Sequence, residues 1–406
     1  MTEPDVLVIG AGPAGLSAAI ALRRAGVGRV TVLERQGMAG GIPRQCGHSP
    51  FGMREFGRIL SGRRYADRLA QTALSLGVDL RLRHSVTAIG AGPRVEAATP
   101  DGPAAFAPRR VILATGVREA TRAARLVSGE RPAGILNTGA LQDQVFLRRS
   151  APFRRPVIVG TELVSMSAVL TCLGAGARPV AIVDSGPRPL ARAPFRWLPR
   201  LLRVPVHLAT AIADIHGARA VEAVTLRGPD GTERRVACDG VLFTGRFTPE
   251  AGLARMSGIE IDAATGGPAV DTFGRTSLPG VYAAGNVLRG VETAGWCWAE
   301  GRAVARAVAA DLAGRGAPAE PGLRIEAGEG VRLVMPQSVA AGGAAPAFAA
   351  IQLRLDRPVR GELRAEGDGQ ALWSRRLSSG PERRILVPLG ALERSQDRIR
   401  IRVHEA

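Results

Sequence analysis

The chain repeats itself. "VLVIG" ends at Gly10 and "VIVG" at Gly160; "RAGVGRVTVLE" closes on Glu34 and "GAGARPVAIVD" on Asp184. In both copies the acid follows the first glycine by 24 positions (10 to 34, 160 to 184), and the copies lie 150 residues apart. A buried strand, a glycine turn, a helix and a second strand ending in a carboxylate form the β-α-β unit that cradles a dinucleotide. Two such units predict an α/β fold with two Rossmann-like, doubly wound units.

The path between them is also legible. "RRVILATG" (Arg109–Gly116) and "DGVLFTG" (Asp239–Gly245) each read as a buried strand ending in a tight turn, and mark the crossings. "SLPGVYAAGN" and the helical pattern after it return the chain to the first unit. The expected division is 1–117 with 246–318, an inserted 118–245, and 323–406 after the linker "GRGAPAEPG". In the last segment "IQLRLD", "RRILVPL" and "RIRIRVHE" alternate with period two, predicting a small antiparallel all-β domain; the arginines of "RIRIRV" could face a partner, but the favoured reading is that they solubilise an exposed strand.

A formal charge of +18 invites a nucleic-acid reading. Yet all 54 basic residues are arginine, dispersed without a run of five, and only Asn137 and Asn286 are asparagines. This bias reads as genome composition, and nucleic acid is not the expected partner. An acidic protein or an anionic small molecule fits better. Without lysine there is no Schiff-base amine, Walker-type phosphate loop or lysine-assisted flavin site. Cys46, Cys172, Cys238 and Cys297 form no C-x-x-C pair, so no metal site is expected. No stretch reads as a signal or an integral membrane span, so the expectation is a cytoplasmic protein, at most peripheral to a membrane through a partner.

"VIGAGPAG" (Val8–Gly15) carries the first site. Gly10 permits the tight turn, Gly12 lets a pyrophosphate approach the backbone, and Gly15 allows close helix packing. The helix N-terminus attracts the phosphates. Glu34 can accept from both ribose hydroxyls. In the second unit Glu162 and Ser165 stand where the second and third glycines belong. A carboxylate about 4 Å from a phosphate charge costs roughly 4 kcal/mol at an effective dielectric of ~20, about a thousandfold in affinity. Arg188, Arg192 and Arg196 could offset part of this, or form a 2′-phosphate site for NADP. The favoured expectation is a retained fold with the nucleotide lost or replaced, so NAD(P) binding is doubtful.

"ATG" (Ala114–Gly116) and "GVYAAGN" (Gly280–Asn286) resemble the remaining FAD markers of the pyridine nucleotide–disulfide reductase superfamily. The resemblance implies an FAD-dependent oxidoreductase. It assigns cofactor contacts to Pro13, Ala14, Arg35, Gly41, Ile42, Val86, Ala114, Thr115, Gly116, Gly285, Asn286, Glu292, Thr293 and Ala294. Where the superfamily usually has Asp for the ribityl chain, this chain has Asn286, whose amide still accepts and also donates. The helix starting near Glu292–Ala294 is implied to point its N-terminus at the flavin N1/O2 edge.

"GGIPRQCGHSPFG", "GVREATRAARLVSGERPAGILNTGALQ", "VGTELVSMSAVLTC", "CDGVLFTGRFTPE" and "AAGNVLRGVETAGWCWAEGR" are similar to one branch. It comprises the flavoprotein subunits of hydrogen cyanide synthase, opine oxidase and dye-linked proline dehydrogenase, and the flavoprotein accompanying anaerobic-type glycerol-3-phosphate dehydrogenase. The likeness implies an electron-transferring subunit of a heteromeric enzyme acting on a small amine, amino acid or glycerol phosphate-like substrate. The implied partners are a second flavin dehydrogenase subunit, an iron–sulfur protein, or both, with any cluster on another chain. The alternative is a self-sufficient NAD(P)H-dependent flavin reductase of a thiol or redox protein. It needs a working Cys46, as a thiolate tuned by Arg44 or His48, or paired with Cys297. His48 is a further candidate, as acid or base near the flavin N5.

Overall fold

The computed structural model describes residues 3–290, 292–316, 322–341, 345–392 and 397–405. The first β-α-β unit is Val6–Ile9, the helix Pro13–Arg24 and Val30–Glu34. Both strands are buried throughout, because helices cover both faces of a parallel sheet. The sheet runs Val281–Ala283, Arg110–Leu113, Val6–Ile9, Val30–Glu34, Asp79–Leu82, all parallel. Val281–Ala283 comes from far along the chain, which returns to the first sheet only after tracing the second.

The second sheet repeats the design in the order Val206–His207, Ala181–Val183, Pro156–Val159, Gly240–Phe243, Ile135–Asn137, again all parallel. Each unit carries an antiparallel three-stranded layer, Ser85–Phe106 in the first and Ala211–Ala237 in the second. At the crossings Val117–Glu119 pairs antiparallel with Phe247–Pro249, so the outgoing and returning strands hold each other.

Small residues decide how the first unit closes. The helices Pro13–Arg24 and Ala294–Leu312 lie against each other, and a Cβ on Gly301 would run into the Ala14 carbonyl. The Ser17 hydroxyl donates to the Trp298 carbonyl at 2.6 Å across this contact.

The last segment is all β, in two sheets of five and three strands. The expected wholly antiparallel pairing is corrected at one place: Leu323–Ala327 runs parallel to Arg398–Glu405. These strands come from opposite ends of the segment and meet side by side, which alternation of side chains does not encode. Met335 and Phe348 from this segment sit in the first unit's core, at 0% and 3% exposure. Of the expected linker, residues 317–321 lie outside the described residues, as does the boundary at 318.

Candidate functional site

The first glycine turn is built as a cradle. Gly10 has φ 104°, and a Cβ there would lie 2.5 Å from the Ala114 carbonyl oxygen. A Cβ on Gly15 would collide with the Gly10 carbonyl oxygen. Gly12 differs: the nearest atom to a Cβ there is the Gly41 Cα, 4.0 Å away. Packing within the protein does not require glycine at 12. Gly41 (φ 61°) packs against it, so close that a Cβ on Gly41 would come 2.9 Å from the Gly12 Cα, and the start of the helix presents bare backbone. Bare backbone at a helix N-terminus fits a pyrophosphate. Pro13 and Ala14 open the helix above it. Glu34 is 8% exposed and accepts from the Ala11 and Gln36 amides, both at 2.9 Å, which aims it across the turn.

Of the other expected contacts, Ala114 and Gly285 lie against this turn and its helix. Ala114 donates to the Ile9 carbonyl at 2.9 Å, tying "ATG" to the strand ahead of the glycine turn. The Thr115 hydroxyl donates to the Glu250 carbonyl at 2.8 Å, and the Glu250 amide to the Gly116 carbonyl at 2.8 Å. Gly285 (φ 81°) lies against the first helix, where a Cβ would come 2.6 Å from the Ala14 Cβ. Arg35 is exposed and 3.9 Å from Glu250, and Ile42 is 43% exposed. Val86 stands half-buried at a bulge in the strand Ser85–Ile89. Thr293 is the N-cap and Ala294 the first residue of the long helix.

Two of these residues do more than the sequence suggested. Asn286 uses its amide on Glu292: the side-chain oxygen accepts from the Glu292 amide at 2.7 Å and the nitrogen donates to its carbonyl at 3.1 Å. A carboxylate could make only the first bond, so the amide closes the turn as the usual Asp cannot. One N–H and one lone pair remain for a ligand. Glu292 was expected at the flavin edge. Its carboxylate is instead paired with Arg354 of the C-terminal strands, because burial at 8% exposure demands a counter-charge. Beside it Trp296 lies between the guanidinium groups of Arg54 (3.7 Å) and Arg384 (3.3 Å).

The cysteine chemistry considered for the thiol-reductase alternative does not match the geometry. Cys46 is 6% exposed; burial, aided by the charge of Glu119, pushes its thiol up to about 12, so it is no thiolate at neutral pH. Arg44 is turned away onto the Met38 carbonyl and Gln36. His48 packs on Phe51 with centroids 5.4 Å apart, and burial lowers its pKa, leaving it neutral. All four cysteines are free and buried, and the Cys297 thiol faces the Glu292 carbonyl.

The second turn is full. Glu162 lies over both Gly160 and Gly245, and a Cβ on either would meet its carboxylate. Ser165 donates to this carboxylate at 3.0 Å, and the Thr244 hydroxyl lies at 3.0 Å from the same oxygen. Burial raises the Glu162 pKa. Asp184 takes the Thr161 hydroxyl at 2.5 Å and the Gly186 amide at 2.8 Å. The following loop latches back onto the turn, with the amides of Leu190 and Ala191 bonding Thr161 at 3.1 and 2.8 Å. Arg192 reaches the Glu382 carbonyl and Arg196 stacks on Trp197, so neither is aimed at the turn.

Sequence reasoning missed three groups. Glu119, 8% exposed, joins the crossing strands to the second unit by accepting from Gly139 (2.8 Å) and Gly245 (3.2 Å), and burial raises its pKa. Arg289, 2% exposed, forks onto Glu300 and donates to Gln352 at 2.7 Å. Tyr65 donates to Glu55 at 2.8 Å beneath the helix Met53–Phe56. No local pattern announces any of them. Among the described residues no cluster of three or more His, Cys, Asp or Glu could hold a metal, and no helix is long and apolar enough to cross a membrane.

A sequence profile described as "Pyridine nucleotide-disulphide oxidoreductase" matches residues 4–301. The chain is 28% identical over 360 residues to the alpha subunit of sarcosine oxidase from Rhizobium meliloti, covering 82% of this chain and 33% of that one. It is 28% identical over 341 residues to an opine oxidase subunit from Agrobacterium tumefaciens, covering 76% and 66%. It is 30% identical over 295 residues to thioredoxin reductase of Treponema pallidum, covering 70% and 89%. The chain thus spans a third of the first relative and 66% of the second. In fold it is similar to T. acidophilum thioredoxin reductase, with a TM-score of 0.64 at 23% identity over 76% of this chain and 98% of that one.

Proposed function

Because the chain belongs to the pyridine nucleotide–disulphide oxidoreductase family and is an FAD-dependent oxidoreductase, we propose that it serves as the electron-transferring flavoprotein subunit of a heteromeric dehydrogenase or oxidase. Residues 1–117 with 246–318 would hold FAD, 118–245 would be a nucleotide-binding fold without its nucleotide, and 323–406 would brace the flavin turn. The observation that carries this reading is Glu162, whose carboxylate fills the second glycine turn over Gly160 and Gly245.

When bound, FAD accepts electrons in pairs and releases them singly. The chain's own part is to place it. The Gly12–Gly41 backbone and the helix N-terminus would take the pyrophosphate, Glu34 the ribose, and Asn286 would hold the turn at the isoalloxazine end. Two relatives carry "subunit" in their names, which supports a partner that is itself a flavin dehydrogenase, an iron–sulfur protein, or both. A small amine, amino acid or glycerol phosphate-like molecule would then be oxidised on that partner or at the interface.

The likeness to thioredoxin reductase favours a second reading, an NAD(P)H-dependent reductase of a thiol or redox protein. That reading requires a nucleotide beside Glu162 and a thiol more reactive than Cys46. An anaerobic titration separates the two. The FAD-loaded chain is mixed with NADH or NADPH and the visible flavin band is followed. A band that persists with nucleotide and bleaches with dithionite supports the subunit reading. Prompt bleaching at micromolar nucleotide overturns it.

A further inference from the structure

The second unit carries a projecting apolar turn that electron transfer does not use. Residues 192–197 are six consecutive exposed positions. They lead into the short helical turns Phe195–Trp197 and Leu198–Leu201. Phe195, Trp197 and Leu201 are 47%, 55% and 79% exposed, while Pro199 beneath them is buried. The turn is held from inside: Arg196 donates to the Arg192 carbonyl at 3.0 Å, Trp197 to Pro194 at 3.1 Å, and Val204 to Pro199 at 2.8 Å. The outward apolar side chains therefore sit on a braced structure. The helix Leu163–Gly174, which packs against this turn, contains no charged residue and adds exposed Leu163 and Leu170.

Along the segment that carries the patch the charge has one sign. Between Asp184 and Asp214 the sequence has no acid and five arginines: Arg188, Arg192, Arg196, Arg200 and Arg203. Among the described residues none of the five is in a salt bridge. His207 adds no charge at neutral pH, because burial and Arg234 lower its pKa. Phe, Trp and Leu that project outward, interleaved with guanidinium groups, have the chemistry of an interfacial anchor. The apolar groups enter the boundary between headgroups and acyl chains, and the arginines rest on phosphates. The formal charge of +18 brings the whole molecule to such a surface.

We propose that the turn Phe195–Leu201, with Leu163 and Leu170 beside it, docks the protein on an anionic phospholipid surface. The occupant is lipid, because the apolar groups project and no acid lies among the five arginines in the segment between Asp184 and Asp214. A second copy of this chain would set the same arginines against each other.

The test is flotation of the full FAD-loaded chain with vesicles of phosphatidylcholine containing roughly one third phosphatidylglycerol, against vesicles of phosphatidylcholine alone. The native chain should float with the anionic vesicles only. The variant Trp197→Ser/Leu201→Ser keeps every charge and leaves Leu198, Pro199 and Leu202 in place; its fold is checked by flavin content and circular dichroism. Its partition should fall at least about tenfold. Arg196→Gln/Arg200→Gln should weaken binding and flatten its salt dependence. Equal flotation of native chain and serine variant would overturn the proposal and indicate general adsorption of a basic protein. No flotation on either vesicle would also overturn it, leaving the face to an acidic protein.

Discussion

Replacing Glu162 with glycine should restore nucleotide affinity to the second turn. The carboxylate lies between Gly160 and Gly245, where the proposed reading puts a second nucleotide's phosphate. A charge so placed costs a bound phosphate about 4 kcal/mol at an effective dielectric of ~20, or about a thousandfold in Kd. The full factor will not return, because Leu190 and Ala191 still latch onto Thr161; we expect at least about tenfold. Ser165 and Thr244 lose a shared acceptor but keep their mutual contact at 2.7 Å, so stability should fall by only about 1 kcal/mol. The assay is anaerobic equilibrium binding of NADPH, native chain against Glu162→Gly, with flavin content as the control for folding. The pH dependence gives a second handle. Burial raises the folded pKa of Glu162 above its unfolded value. Its neutral form is therefore favoured by folding, and the associated stability is present at low pH and lost as pH rises through the folded pKa. Neutralisation also removes the repulsion, so native affinity should rise as pH falls, and the glycine variant should lack that trend. A well-folded variant that binds NADPH no more tightly than the native chain at any pH would refute the blocking role.

Four further outcomes follow from the same geometry. Gly12→Ala places a methyl group on the bare backbone at the helix start, where the protein itself has room for it, and should lower FAD affinity at least about tenfold with the apoprotein fold intact, read by flavin fluorescence on dilution. Cys46→Ser should leave flavin reduction unchanged, and Cys46 should resist iodoacetamide at pH 8 in the native chain, because its thiol is held protonated. Arg289→Met should strand Glu300 in the interior and cost about 3–5 kcal/mol, seen as a lowered Tm. Glu119→Gln removes a carboxylate whose pKa burial raises, so the gain in Tm over the native chain should grow from pH 5 to pH 8.

The parallel sheets were legible because a strand buried on both faces must be apolar end to end, as Val6–Ile9 and Pro156–Val159 are. The glycine turn was legible because its steric demands are local. Glu162 could be read as an obstacle, but not as the filling of the cradle, since Thr244 reaches it from 82 positions away and Gly245 is the next residue. The same limit hid the pairing of Arg289 with Gln352, 63 positions on, and of Glu292 with Arg354, 62 positions on. Alternation in the last segment fixed which side chains face inward, but strand direction depends on which ends meet. The thiolate reading of Cys46 failed because nearness to Arg44 in sequence says nothing about which way a guanidinium turns.

The fork of Arg289 onto Glu300, sealed by Gln352, bears on how the molecule melts and how it can be cut. Glu300 belongs to the helix Ala294–Leu312 and Gln352 to a C-terminal strand, while Met335 and Phe348 fill the first unit's core. A chain stopped near residue 316 would open that core and uncover the ion pair. Chains shortened there should go to inclusion bodies, and the full chain should lose its flavin and its C-terminal strands in one calorimetric transition.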